Sequence, residues 1–299
     1  MNESTQRRIN VSAGTIELLA PAKINLFLYV TGRRPDGYHE LCSLMCCVSL
    51  YDRIVIRMGV PGNEIICDHP DAPGNENNLA FKAAILFNDV LFNEARITPD
   101  KLSIHLDKQI PVGAGLGGGS SDAAAVLNGL NAYYDQPLDR RQLHAMALTL
   151  GADVPFFIDQ IPALAQGVGE RLTPYEGLPS LWAVLIYPGF GISTAQVFKN
   201  FKLRLTKSEK ELRYFPFKNR KFDASRHLYN DLEQGVGNHS QVIEKSKKDL
   251  LALGALGALM TGSGSVVFGL FTDEAGAQSA KHVLEQQAGR TIWVAQLIT

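Results

Sequence analysis

Lys108-Gln-Ile-Pro-Val-Gly-Ala-Gly-Leu-Gly-Gly-Gly-Ser-Ser-Asp122 is the stretch from which the rest of the chain is read. Gly113, Gly115, Gly117, Gly118 and Gly119 stand close together, and Ser120-Ser121 leads into Ala123–Tyr134, a run of helix formers with apolar spacing. Glycine permits positive φ and a close approach of main chain to ligand. Successive N–H groups at a helix N-terminus, where the macrodipole is positive, make a cradle for phosphate oxygens. Ser120 or Ser121 is expected to cap the helix, with a hydroxyl in reach of phosphate or of a magnesium ion. Gly113-x-Gly115-x-x-Gly118 formally matches a dinucleotide fingerprint, but that motif follows a buried strand. The strand here carries His105, Asp107 and Lys108. A P-loop requires Lys where Gly119 stands. A phosphate-holding loop of another type and a plain glycine loop before an ordinary helix remain.

Working outward, the region before the loop reads as β-rich. Thr15–Ala20, Lys23–Val30, Val48–Met58 and Leu102–Leu106 have strand character, with a turn at Gly32–Gly37 and a helix near Leu79–Leu91. After the loop, a second helix is expected over Arg140–Leu150, and Gly151-Ala-Asp-Val-Pro155 stops it. Beyond Pro174 come a strand (Trp182–Tyr187), a basic polar stretch, then helix, turn, strand, helix and strand. A chain of 299 residues exceeds the roughly 150 residues of a typical domain, so two domains are expected, 1–174 and 175–299.

Composition narrows the function classes. The chain is 45% hydrophobic and 20% charged, enough for a sizeable core. Its 29 Lys+Arg against 30 Asp+Glu lack the basic excess of nucleic-acid or anionic-lipid binders. Locally, nine Lys or Arg lie between Lys199 and Lys221, a stretch that reads as a solvated linker or as a flap over an anionic substrate. Cys42, Cys46, Cys47 and Cys67 form no C-x-x-C pair and read as small buried hydrophobes in a reducing compartment. MNESTQRRIN has no apolar run behind its charges, so no signal peptide is expected. Leu250–Thr272 is uncharged and long enough for a membrane span, but its five glycines favour a helix, a glycine turn and a strand at Val266–Phe271. The expectation is a soluble cytoplasmic protein with neither nucleic-acid nor membrane partner and no obligatory protein partner.

Three further blocks, in order, accompany the loop. They are Pro21-Ala-Lys-Ile-Asn-Leu-Phe-Leu28 with Gly37-Tyr-His-Glu-Leu41, then Thr149–Phe157 (TLGADVPFF), then Leu259-Met-Thr-Gly-Ser-Gly-Ser-Val-Val-Phe268. With Pro111–Ala125 they resemble the signatures of the GHMP kinase superfamily. The resemblance covers nearly the whole chain and is weakest from about 200 to 245. It implies an α+β two-domain GHMP kinase fold. The N-terminal domain would be ribosomal-protein-S5-like and the C-terminal domain a ferredoxin-like α/β sandwich.

The resemblance also implies chemistry: phosphoryl transfer from ATP, with Mg²⁺ assumed from phosphate chemistry, to an alcohol on a small molecule that carries a cytidine diphosphate group. Lys23 and Asp153 would be the catalytic pair. Such a transfer needs a carboxylate to orient the hydroxyl and take its proton, and positive charge to steady the developing negative charge. Pro111, Val112, Gly113, Ala114, Gly115, Leu116, Gly117, Gly118, Gly119, Ser120 and Ser121 would wrap the phosphates of ATP, and Asn78 would meet the adenine. Tyr38 and Phe198 would clamp the cytosine, His39 would read its polar edge, Lys199 would approach the diphosphate, and Asn25 would touch substrate near Lys23. No residue stands out as a dedicated metal ligand. Two other functions remain open at this point: a homoserine or mevalonate type of kinase, and a catalytically silent nucleotide-binding regulator on the same fold.

Overall fold

Apolar residues at every second position carry the chain into three strands: β1 (Ile9–Ser12), β2 (Thr15–Arg33) and β3 (His39–Met58). A computed structural model describes residues 8–201, 221–287 and 289–299. Of the basic stretch 199–221, residues 202–220 lie outside the described residues. The two strands expected at Thr15–Ala20 and Lys23–Val30 are one strand of 19 residues, and Val48–Met58 is the second half of a strand of 20. Pro21 lacks a backbone donor, yet pairing resumes beyond it, and Lys23 N donates to Leu116 O at 2.9 Å. A proline is tolerated where its missing N–H interrupts no ladder bond.

The described chain packs as two units, and neither is a sequential half. The first gathers the chain up to Ala22, Leu50–Val112 and Gly117–Gln160; the second gathers Lys23–Ser49, Gly113–Leu116 and the chain from Ile161 onward. Strands β2 and β3 each contribute to both units.

In the first unit, β4 (Glu64–Cys67) runs parallel to β5 (Leu102–Asp107), and β5 pairs antiparallel with β3 from Arg53↔Asp107 to Met58↔Leu102. Leu102, Ile104 and Leu106 turn inward while His105 and Asp107 are exposed. Helix α1 (Leu79–Ala95) starts on the Asn78 side chain, which accepts from Ala80 N at 2.9 Å. Helix α2 (Gly118–Tyr133) is buried from Ser121 through Asn131 and packs against α1. Such burial suits a helix of Ala, Val, Leu and Gly with little polar surface. At Gly129 a Cβ would come within 2.7 Å of Leu18 Cδ2, so the helix rests directly on β2. Helix α3 (Arg140–Leu150) carries a reciprocal Asp139–Gln142 capping box. The sequence that stops it opens a further short helix, α4 (Val154–Asp159), with Pro155 in its first turn.

In the second unit, β6 (Ala163–Gly167) pairs with β3 and with β7 (Arg171–Pro174). Then follow β8 (Trp182–Tyr187), α5 (Thr194–Asn200), α6 (Ala224–His227), β9 (Tyr229–Asn230), α7 (Ser240–Ala252), β10 (Gly257–Met260), β11 (Val267–Phe271), α8 (Glu274–Glu285) and β12 (Thr291–Ile298). Strands β12, β8, β11 and β10 pair antiparallel in that order, with α7 and α8 packed on them. Counting β8, β10, β11 and β12 as first to fourth, the order is 4-1-3-2, the ferredoxin-like arrangement. Leu250–Thr272 is the end of α7 followed by a hairpin, so β10 is a strand the sequence reading missed. Among the described residues no helix is long and apolar enough to cross a membrane. Cys42, Cys46 and Cys47 are buried, and Cys67 is partly so.

Candidate active site

The glycine stretch does three different things along its length. At its far end Gly117, at φ +71°, occupies the cap position of α2 without a side-chain hydrogen bond. Neither serine caps the helix: Ser120 and Ser121 lie inside its first turns, and Ser121 N donates to Gly117 O at 2.9 Å. The helix begins earlier than expected because Gly117 reaches the left-handed region where a serine would be strained. Ser121 Oγ is wholly buried with no hydrogen-bond partner among the described residues, whereas Ser120 is half-buried and Gly119 exposed. Gly119 also lies against Leu79, so the start of α2 stands beside the cap residue Asn78. Asn78 uses both ends of its amide locally, the oxygen on Ala80 N and the nitrogen on Pro73 O at 2.7 Å.

The centre of the stretch, Gly113–Leu116, packs with the second unit. Gly113 O accepts from Ile192 N and Ala114 O from Val266 N, each at 3.2 Å. A Cβ on Gly115 would sit 2.2 Å from Thr261 O, so this glycine is demanded by another stretch of the protein's own backbone. That stretch is the turn between β10 and β11. Asn230 holds it: Nδ2 donates to Met260 O and to Gly262 O, both at 2.8 Å, while Oδ1 accepts from Leu232 N. Thr261 Oγ1 in turn accepts from Asn25 N at 3.0 Å.

Lys23 and Asn25 stand against this turn on one face of β2. The Lys23 ammonium is buried, 4% exposed, and donates to Asn25 Oδ1 at 2.5 Å. Asn25 Nδ2 donates to Ser43 Oγ at 2.7 Å, and Ser43 Oγ donates to Phe27 O. Asn25 thus holds the lysine. Taking an ammonium out of water is costly unless it is hydrogen-bonded, so this network sets where Lys23 points. Asp153, in the first unit, is half-buried and stands at the N-cap position of α4, where its side chain makes no cap bond. A carboxylate at a helix N-terminus is favoured by the macrodipole.

At the turn of the β2–β3 hairpin, Tyr38 is 66% exposed and its N–H donates to Asp36 Oδ1. The ring pair that forms is His39 on Phe198, with centroids 4.8 Å apart and planes at 18°. Burial, and then the nearby Arg33 charge, hold the His39 pKa below its usual value. Phe198 is partly buried on the core of this unit, and Lys199 is exposed in the last turn of α5.

Several residues of this architecture escaped the sequence reading. Asn230 and Thr261 lie more than two hundred positions from Asn25, and no local pattern links them. Asp52, Lys108 and Asp122 form a buried ion cluster at the stems of the glycine loop. The only cue for it was a charged residue, Lys108, just before an apolar Ile110-Pro111 step. Among the described residues no group of three or more His, Cys, Asp or Glu is arranged to hold a metal ion.

Comparisons with known proteins give the family. A model of the GHMP kinases N terminal domain matches residues 78–163, and one of the GHMP kinases C terminal matches 219–290. The 4-diphosphocytidyl-2-C-methyl-D-erythritol kinase of Syntrophotalea carbinolica is 48% identical over 91% of this chain and 95% of its own. That of Geobacter sulfurreducens is 41% identical over 91% of this chain and 96% of its own. A crystal structure of 4-(cytidine 5'-diphospho)-2C-methyl-D-erythritol kinase, 38% identical, matches with a TM-score of 0.78 over 95% of this chain and 99% of that one. Homoserine kinase from Cytophaga hutchinsonii, 19% identical, shares the fold at a TM-score of 0.74 over 96% of each chain. With near-full coverage in both directions, the chain belongs to the 4-diphosphocytidyl-2-C-methyl-D-erythritol kinase family of GHMP kinases.

Proposed function

We propose that this chain transfers the γ-phosphoryl group of ATP to the 2-hydroxyl of 4-(cytidine 5'-diphospho)-2-C-methyl-D-erythritol, giving the 2-phosphate and ADP in non-mevalonate isoprenoid precursor synthesis. The observation that carries this reading is Lys23, a buried ammonium fixed by Asn25 within the block that resembles the superfamily's N-terminal signature. In this reading Asp153 takes the proton of the 2-hydroxyl as its oxygen attacks the γ-phosphorus, and Lys23 offsets the charge that grows on the transferring group. The main chain of residues 111–121 holds the phosphates, and Asn78 meets the adenine. Tyr38, His39 and Phe198 receive the cytosine, with Lys199 toward the diphosphate. His39 stays neutral at pH 7, which leaves one ring nitrogen as donor and one as acceptor for a base edge.

Mg²⁺ is proposed to arrive with the ATP phosphates, whose charge it neutralises when bound. Ser120 fits as the loop hydroxyl that it or a phosphate can meet, since Ser121 is turned inward. We assign the family's two domains to 1–174 and 175–299, a division supported by the family models matching on either side of it. A cytoplasmic location completes the reading.

The test is ADP release with the cytidylated alcohol, homoserine and mevalonate offered separately. Turnover is expected only with the first. Comparable kcat/KM on homoserine or mevalonate would move the chain to another branch, and ATP binding without turnover on any acceptor would make it a regulator.

A further inference from the structure

The glycine loop has two stems, and one buried group of charges holds both. Asp52, on β3, is fully buried. Its Oδ1 accepts from Gln109 N at 2.6 Å and from Ile110 N at 2.8 Å, which fixes the incoming stem. Its Oδ2 accepts from Lys108 Nζ, and the same ammonium donates to Asp122 Oδ2 at 2.7 Å, on the first turns of α2. The Lys108 side chain is 3% exposed and Asp122 2%. Gly118 leaves the passage: a Cβ there would stand 3.1 Å from Lys108 Nζ and 3.0 Å from Ile110 Cγ2.

We propose that Asp52, Lys108 and Asp122 are positioning residues for ATP, a clamp that sets the spacing of the loop's two stems and so aims its N–H groups at phosphate. The proposal rests on the reading of residues 111–121 as the ATP loop. None of the three charges is placed to meet the nucleotide itself, because all three side chains are turned inside the first unit. A buried ammonium between two buried carboxyl groups is a costly way to join a strand to a helix. Apolar side chains of similar volume commonly do so at equal or better stability. What the ions supply that apolar packing does not is direction, through three hydrogen bonds of defined geometry around Asp52 and one at Asp122. Burial, opposed by Lys108 and reinforced by Asp52, raises the Asp122 pKa, and its Oδ1 has no hydrogen-bond partner among the described residues. A neutral acceptor at position 122 therefore satisfies the clamp as well as a charged one.

Calorimetric titration with ATP alone, beside KM for the cytidylated alcohol and the melting temperature, tests this. Asp122→Leu keeps the branched shape and removes the acceptor, and Asp122→Asn keeps the acceptor without charge. The combination Asp52→Asn, Lys108→Met, Asp122→Leu removes every charge, while the amide oxygen introduced at position 52 still accepts from the stem. Asp122→Leu and the triple variant should raise the Kd for ATP about tenfold or more, with KM for the alcohol unchanged, while Asp122→Asn stays within about twofold. The triple variant carries the test should the single one fail to fold, because it leaves no unpaired buried charge. ATP affinity kept in the triple variant, or lost equally in Asp122→Asn, overturns the clamp. Gly117→Val is the control for the loop itself. Its β-branched side chain is strained at φ +71°, so unchanged ATP affinity there refutes the loop reading, whereas weakened affinity there beside an intact triple variant refutes only the clamp.

Discussion

Lys23 and Asn25, midway along β2, and Tyr38 and His39, at the β2–β3 turn, are built on opposite principles. The first pair is almost closed to solvent, 4% and 3% exposed, and each polar atom is met by Ser43, Thr261 or the partner residue. Tyr38 is 66% exposed on a turn that contains Pro35, Asp36 and Gly37. The contrast matches what each end is proposed to do. A charge that must stand ready where negative charge develops gains from a fixed, dehydrated setting, since no reorganisation is then needed at the moment of transfer. A ring that stacks on a base needs area and freedom to close, and it contributes about equally before and during the chemical step.

Substitutions at the reacting groups should break that comparison most visibly. Asp153→Asn keeps shape and cannot accept a proton, so kcat should fall about 10²- to 10⁴-fold with ATP affinity nearly kept; retention of a third of the wild-type kcat would place Asp153 outside the chemistry. Lys23→Met should lower kcat about 10²- to 10³-fold, as loss of a preorganised charge partner does. Asn25→Ala comes next. It leaves Lys23 in place without its amide acceptor, and a hydrogen bond to a charged group of about 1.5–3 kcal/mol corresponds to a kcat lower by about 10- to 100-fold. If Asn25→Ala moved only the KM of the alcohol, Asn25 would be a substrate contact after all, and the rigid end of the comparison would dissolve.

At the exposed end the signature should change from kcat to KM. Tyr38→Ala should raise the KM of the cytidylated alcohol about 5- to 150-fold, the equivalent of roughly 1–3 kcal/mol per stacked base, with kcat and the KM of ATP little altered. Because the ring is exposed, stability should shift by no more than about 0.5 kcal/mol; a lower melting temperature with both KM values rising together would make Tyr38 a structural residue. The smallest effect concerns His39. Its depressed pKa means that the neutral ring is the folded state's form at pH 7, so the KM of the alcohol should stay flat above neutrality. It should rise only as pH falls below the usual histidine range. A KM that changed between pH 7 and 8 would assign the titration to another group.

The helix after the glycine stretch, the strands at Leu102 and Trp182, and the helices at Leu79 and Arg140 were legible because periodicity and helix-forming composition act within a few residues. Errors came where distant chain intervened. Thr15–Ala20 and Lys23–Val30 read as two strands, yet one strand continues through Pro21. The serines were expected to cap α2 because Ser is a good cap, but Gly117 takes that position in a conformation serine disfavours. The stacking of His39 on Phe198 joins residues 159 positions apart, and no local pattern announces it.

Sequence alone determined that a glycine-rich main chain precedes a buried helix, and which side chains of the superfamily pattern are present. Those are properties of residue type and of spacing along one segment. Only the tertiary structure decided what each glycine is for. Gly115 yields to Thr261 O and Gly118 to Lys108. Ser121 faces inward, and Asn25 holds Lys23 through a network that reaches Thr261, 236 positions away. The physical reason is that positive φ and apolar period are settled locally, whereas the partner of a buried polar group is chosen by whichever distant backbone the packing brings within about 3 Å.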